Sequence, residues 1–276
     1  MQTKTIKCRG KINLSLNILG KRNDGYHYID TVMMHIDAHD LLTAKKRQDM
    51  AINVTFIDDV GKVICDKYIN REDNTVVKAV KALRQEFGEF GGLDIVVQKN
   101  MGIGGGLGGS ASNAVGTVWA SSALYGLFDE ADEGTMLNLC AKLGSDAAFF
   151  AKGMGKDNFC ARVQGVGEIV EEVENRLEMS IMIEKGGGLS SKAAYDAFDE
   201  LYQKYGCIYA PSDNDKLIKY LEQGDRAALD YMHNALDKAS MLLDKSIEDR
   251  KKALIKKGAK KVMLAGSGAS TWGGFF

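Results

Sequence analysis

Six glycines fall within residues 102–109, in the run Gly102-Ile103-Gly104-Gly105-Gly106-Leu107-Gly108-Gly109. Glycine lets a backbone come close to a ligand and aim consecutive N–H groups at it, which is the chemistry of anion binding. Ser110 and Ser112 follow, and their hydroxyls suit phosphate oxygens or a phosphate-bound Mg²⁺. A helix expected to start directly after the loop adds its unpaired first-turn N–H groups and the positive end of its dipole, so a di- or triphosphate is the natural ligand. Gly104, Gly106 and Gly109 also satisfy G-x-G-x-x-G, but a dinucleotide site needs a second strand ending in an acidic residue, whereas here one long helix runs on toward Asp129-Glu130. No G-x-x-x-x-G-K-[ST] occurs, which excludes a Walker loop.

Other side chains have the types that phosphate chemistry needs. The stretch Lys11-Ile12-Asn13-Leu14-Ser15-Leu16-Asn17-Ile18 alternates polar with apolar, so Lys11, Asn13 and Ser15 share one face of a strand. Asp146, in Gly144-Ser145-Asp146-Ala147-Ala148-Phe149-Phe150, is a carboxylate at a helix start beside two aromatics that exclude water; it reads equally as a base or as a plain N-terminal cap. Tyr26 and His27 join an aromatic face to a hydrogen-bonding ring after a glycine, a pairing suited to a planar base or to an ordinary packed turn. Gly266-Ser267-Gly268 is a second small-residue loop, able to abut the first. His35 and His39 are four apart, but their segment reads as a strand, which argues against a helical zinc pair.

The elements that must position these groups follow from periodicity. A strand over 11–18, a turn-rich loop over 20–27 and a strand over 29–36 come first. A helix over 74–87, a buried strand over 93–97 closed by Lys99, the glycine loop and an Ala-rich helix over 111–125 come next, with Ser110 or Ser112 near its cap. Helices over 133–143 and 191–205 and around Leu217 and Leu243, with strands over 179–183 and 261–264, complete an α+β pattern, and a composition shift near residue 155 marks a domain boundary. The Lys-rich run over 251–261 reads as a solvated helix face and turn.

Composition narrows the class. The 276 residues carry 36 basic and 37 acidic side chains, a net charge of -1 that points to neither nucleic acid nor an anionic membrane surface. Cys8, Cys65, Cys140, Cys160 and Cys207 form no C-x-x-C pair, and the first residues lack the apolar run of a signal peptide, so a reduced, cytoplasmic protein is expected. No apolar run is long enough to cross a bilayer.

These residues in this order resemble the GHMP kinase superfamily. Gly20-Lys21-Arg22-Asn23-Asp24-Gly25-Tyr26-His27 narrows the resemblance to the branch acting on a cytidine-bearing alcohol of non-mevalonate isoprenoid biosynthesis. Lys11-Ile12-Asn13-Leu14, Gly106-Leu107-Gly108-Gly109-Ser110, Gly144-Ser145-Asp146, Gly167-Glu168 and Gly266-Ser267-Gly268 extend it over nearly the whole chain. The resemblance implies a two-domain α+β GHMP kinase fold, with an N-terminal domain like the second domain of ribosomal protein S5 over 1–155 and a ferredoxin-like C-terminal domain over 156–276.

It further implies Lys11 and Asp146 as the catalytic pair, and ATP with Mg²⁺ along Gly102, Gly104, Gly105, Gly106, Leu107, Gly108, Gly109, Ser110 and Ser112, the metal near Ser110 and Lys99 and Asn74 at the edges. A small-molecule cytidyl substrate would meet Asn13, Tyr26, His27, Gly266, Ser267 and Gly268. A monomer or weak homodimer, with no nucleic acid or membrane partner, is expected. The rivals are a GHMP kinase for another small alcohol, against which Tyr26 and His27 argue, and a nucleotide binder without turnover, against which Lys11 and Asp146 argue.

The resemblance implies proline at three places where this chain reads Gly102, Ala148 and Gly186. The expectation is looser loops, by about 0.4–1 kcal/mol per site where geometry is compatible. The chain stops at Phe276, just after the Gly266–Gly268 stretch, so a C-terminal domain cut short, with an uncovered edge, is expected.

Overall fold

The computed structural model describes residues 2–64, 74–127, 133–206 and 209–276; Cys65, Asp129, Glu130 and Cys207 lie outside them. The chain forms two compact units: one holds residues 1–10, 37–101 and 109–155, the other residues 11–36, 102–108 and 156–276. Strands β1 (Thr3–Lys21) and β2 (His27–Lys46) each contribute residues to both.

In the first unit β2 pairs antiparallel with β4 (Leu93–Gln98), Leu41 opposite Gln98 and Lys46 opposite Leu93, and β3 (Ile52–Ile57) runs parallel to β4. Helix α1 (Thr75–Phe87) is capped by Asn74, whose side chain accepts from the Val76 N–H, and it buries Val76, Ala79, Val80 and Leu83 at helical spacing. Each of the Val and Leu side chains contributes about 1.5–3 kcal/mol by leaving water. That face packs on α2 (Gly109–Tyr125), which in turn packs on α3 (Glu133–Ala141) and α4 (Ala147–Lys152).

In the second unit β2 pairs antiparallel with β5 (Cys160–Gly165), which makes a hairpin with β6 (Ile169–Glu172). The Gly167-Glu168 motif is this hairpin's turn: Glu168 accepts from the Val166 N–H at 2.6 Å, and Gly165 and Gly167 have φ of +73° and +116°. β1 runs parallel to the short β8 (His233–Asn234) through Ser15 and Leu16. A separate antiparallel sheet has the order β7 (Ser180–Glu184), β10 (Thr271–Phe275), β9 (Lys261–Leu264). Helices α5 (Ser191–Tyr205), α7 (Asp237–Leu243) and α8 (Ser246–Lys256) join a core of Leu16, Ile29, Phe198, Leu236, Ile247 and Leu264, and α6 (Asn214–Gln223) buries Leu217 and Leu221.

Several expectations are corrected. The second strand does not stop at 36 but continues to Lys46, carrying His35 and His39 with it. The helix after the glycine loop begins at Gly109, so Ser112 lies inside its first turn. The helix around Leu243 is two helices, because Asp244 is extended and accepts from the N–H of Ser246 at 2.9 Å to start the second. The Lys-rich run is not uniformly solvated: Lys251 pairs with Asp237, and half-buried Lys261 donates to the Leu229 carbonyl at 2.7 Å. The residues after Gly266–Gly268 form β10, paired on both sides and packed against α8, so the last strand is not an uncovered edge.

Candidate active site

The second unit gathers most of the residues expected to meet ligands. Along the glycine loop Gly102, Gly104, Gly106 and Gly108 have φ of +78°, +69°, +81° and +76°, and the residues between them do not. This alternation is the backbone form that turns successive N–H groups into an anion-binding concavity. At Gly105 and Gly106 crowding also excludes a side chain. The N–H of Lys11 donates to the Leu107 carbonyl at 2.9 Å, and that of Ser270 to the Gly105 carbonyl at 3.1 Å. A Cβ on Gly268 would sit 2.2 Å from the Gly106 nitrogen, and one on Gly187 2.8 Å from the Ile103 carbonyl. The loop over 265–270 therefore abuts the glycine loop backbone to backbone.

Beside this contact lies a buried polar relay. Lys11 Nζ donates to Asn13 Oδ1 at 2.8 Å, Asn13 Nδ2 donates to Thr31 Oγ1 at 2.8 Å, and Thr31 donates to the Ser15 carbonyl. Lys11, Asn13 and Thr31 are 4%, 1% and 0% exposed, so the ammonium is held where the low local dielectric strengthens its field. Gly266, at φ +57°, leaves room for that ammonium: a Cβ there would be 2.8 Å from Nζ. Asn234 fixes the same backbone, donating to the carbonyls of Gly266 at 2.8 Å and Leu264 at 3.2 Å. Ser267 donates instead to Ser191 at 2.7 Å, at the start of α5.

Tyr26 and His27 diverge. Tyr26 is 62% exposed, while the His27 ring is buried, stacked on Tyr195 with centroids 4.8 Å apart and with Nε2 2.7 Å from Asp199 Oδ1. Asp199 Oδ2 also accepts from Lys21 at 2.5 Å. Burial pushes the Asp199 carboxyl up, but the hydrogen bonds from Lys21 and His27 outweigh it and hold the group below the usual carboxylate range.

The first unit holds the remaining expected residues. Ser110 is exposed with its hydroxyl 3.0 Å from that of Thr75, whereas Ser112 is 2% exposed. Lys99 is ion-paired with fully buried Asp40, which also accepts from the Met101 N–H at 2.9 Å and Asn113 Nδ2 at 3.1 Å. A Cβ on Gly109 would lie 3.1 Å from Lys99 Nζ, so this clasp grips the chain on both flanks of the glycine loop. Asp146 occupies the N-cap position of α4 but makes no capping hydrogen bond there, and Phe149 and Phe150 are buried behind it at 0% and 2%. That disfavours the plain cap.

Thr31, Asp40, Tyr195 and Asp199 carry no motif; the available signal was the spacing of Tyr195 and Asp199, one turn apart on a helix. Two of the replaced prolines are explained by geometry. Gly102 has a positive φ that proline cannot adopt, and at Gly186 a Cβ would meet the Ala269 carbonyl at 2.5 Å. The expectation of looser loops therefore applies at neither.

Among the described residues no group of three His, Cys, Asp or Glu side chains converges to hold a metal ion, and no helix is long and apolar enough to cross a membrane. A Mg²⁺ carried by phosphates fits this donor set, because it keeps waters and phosphate oxygens and asks little of the protein beyond a hydroxyl such as that of exposed Ser110.

The family model of the GHMP kinases N terminal domain matches residues 74–165. A 4-diphosphocytidyl-2-C-methyl-D-erythritol kinase of Fusobacterium nucleatum is 36% identical over 270 residues, covering 94% of this chain and 84% of its own length. The kinase of the same name from Thermodesulfovibrio yellowstonii is 32% identical, covering 98% and 89%. Among solved structures, a 4-(cytidine 5'-diphospho)-2C-methyl-D-erythritol kinase is similar at TM-score 0.73 with 22% identity, over 98% of this chain and 89% of its own. A homoserine kinase from Cytophaga hutchinsonii is similar at TM-score 0.68 with 19% identity, over 100% and 85%.

Proposed function

The chain belongs to the 4-diphosphocytidyl-2-C-methyl-D-erythritol kinase family of GHMP kinases, and we propose from that membership that it transfers the γ-phosphoryl group of ATP to the 2-hydroxyl of 4-diphosphocytidyl-2-C-methyl-D-erythritol, a step of non-mevalonate isoprenoid biosynthesis. The observation that carries the reading is that one unit holds both the phosphate cradle over 102–108 and the restrained imidazole of His27.

In this reading Gly102, Gly104, Gly105, Gly106, Leu107 and Gly108 give the phosphates their N–H groups, with Gly109 and Ser110 following at the start of α2. Ser110 is preferred to Ser112 because its hydroxyl is the accessible one. Mg²⁺, bound with ATP, supplies charge neutralisation at the phosphate oxygens. Asp146 takes the proton from the acceptor hydroxyl as its oxygen bonds to the γ-phosphorus and the bond to the departing ADP breaks. Lys11, held by Asn13, offsets the charge of the moving phosphoryl group. Tyr26 and His27 hold the cytosine, and Gly266, Ser267 and Gly268 border the acceptor.

Lys99 serves nucleotide binding through the clasp with Asp40. The reading keeps the chain in the cytoplasm as a monomer or weak homodimer, in line with Cys8, Cys140 and Cys160 being free thiols. The test is ATP consumption by purified protein with Mg²⁺ and the cytidyl alcohol, beside Asp146→Asn and beside homoserine and mevalonate. Turnover with the cytidyl alcohol alone, lost in the variant, supports the reading. Equal turnover with the other alcohols refutes the substrate assignment, and ATP binding without turnover on any of them refutes the kinase.

A further inference from the structure

A carboxylate only accepts hydrogen bonds, so the 2.7 Å contact between His27 Nε2 and Asp199 Oδ1 requires the proton to sit on Nε2. In the neutral ring Nδ1 is then a bare lone pair on the side away from Asp199. Three further contacts hold this arrangement. Asp199 sits one turn after Tyr195 on α5, so one helix face supplies both the stacking ring and the acceptor. Lys21 Nζ occupies the second carboxylate oxygen at 2.5 Å. The His27 and Asp199 side chains are 6% and 18% exposed, which limits competition by water.

We propose that Asp199 is a specificity-determining positioning residue: acting through His27, it fixes the imidazole tautomer so that Nδ1 presents an acceptor, which pairs with the 4-amino group of cytosine and repels the 4-carbonyl oxygen of uracil. The proposal rests on the reading of His27 as a base-binding residue. It explains why an acidic residue lies partly buried against the Gly20–His27 loop, a place where a carboxylate is desolvated and gains only if paired. Lys21 occupies the second carboxylate oxygen and offsets the cost of desolvating Asp199, without itself setting the tautomer. An asparagine in its place offers either an oxygen or an amide N–H to Nε2, so the tautomer is no longer enforced.

The experiment compares wild type, Asp199→Asn, Lys21→Met and His27→Ala. Nitrogen-15 NMR of the His27 ring, at a pH where imidazole is neutral, should show the Nε2–H form in wild type and Lys21→Met and a mixture in Asp199→Asn. A merely structural role would not move that ratio. In Asp199→Asn the KM for the cytidyl alcohol should rise about tenfold with kcat and the KM for ATP nearly unchanged, as expected when a hydrogen bond to a charged partner is lost. Inhibition by cytidine diphosphate relative to uridine diphosphate should converge by a similar factor. If His27→Ala raises the cytidyl KM but Asp199→Asn changes neither tautomer nor KM, the proposal is overturned and the base-binding reading stands. If His27→Ala leaves the cytidyl KM unchanged, that reading falls and the proposal with it.

Discussion

The Cα of Gly106 lies so close to the carbonyl of Ala265 that a Cβ on Gly106 would sit 1.8 Å from that oxygen. Its φ of +81° is a second barrier to any side chain. Gly106→Ala must therefore displace either the glycine loop or the loop over 265–268, and its ATP affinity by calorimetry should fall at least tenfold. Gly102→Ala is the control: its φ of +78° is equally unfavourable, but nothing lies within 4 Å of the added carbon. It should lose only about 1 kcal/mol of stability by denaturant titration. Equal effects of the two substitutions would show that close approach is not what the loop requires.

Proline should have opposite effects at Ala148 and at Gly102. Ala148 is in the first turn of α4, where proline is tolerated, and Ala148→Pro should raise the melting temperature by about 1–3 °C by restricting the unfolded chain. Gly102→Pro demands a φ near -65° where the chain has +78°, so it should abolish tight ATP binding. A stabilised Gly102→Pro would refute the loop conformation.

Ser110 and Ser112 separate binding from folding. Ser110→Ala removes an exposed hydroxyl 3.0 Å from Thr75 and should raise the KM for ATP about threefold or more with little change in melting temperature. Ser112→Ala, at a buried position, should show the converse. Identical ATP kinetics in Ser110→Ala and wild type would remove Ser110 from the phosphate site.

Burial pushes the thiols of Cys140 and Cys160 up to about 12 and raises that of Cys8 as well, with Asp40 adding to the rise. Below the unfolded thiol pKa both states are protonated and this contribution is fully present. Above it the unfolded chain releases protons that the folded one keeps, so stability should fall as pH rises from about 8.5 toward the folded values. Denaturant midpoints measured across that window should decline, and replacing Cys160 by Ala should flatten the slope. A slope unchanged by the substitution would locate the effect elsewhere.

Much of the site could be read from local pattern. The alternation over 11–18 places Lys11 and Asn13 on one face, and six glycines between a strand and a helix mark a loop whose backbone can turn its N–H groups toward an anion. What escaped depends on register and on pairs distant in sequence. Thr31 meets Asn13 only because β2 lies against β1, and Asp199 meets His27 across 172 positions. The strand β8 has two residues, too few for a period to show. The Lys-rich run misled because a charge reads as solvated until its partner, such as Asp237 for Lys251, is brought beside it.

Asp40 and Lys99 decide whether the clasp beside the glycine loop is structural or serves the nucleotide directly. Their side chains are 0% and 7% exposed, and Asp40 also holds the Met101 N–H and Asn113, residues on either flank of the loop. Removing one partner leaves an uncompensated buried charge, so Asp40→Asn and Lys99→Met should each cost about 3–5 kcal/mol by denaturant titration. The double variant removes both charges and should recover a large part of that loss, a coupling that only a direct pair produces. The KM for ATP should track the clasp, rising in both single variants and less in the double one. If Lys99→Met instead costs under about 1 kcal/mol while raising the KM for ATP as much as the double variant does, the lysine acts on the nucleotide and not through Asp40.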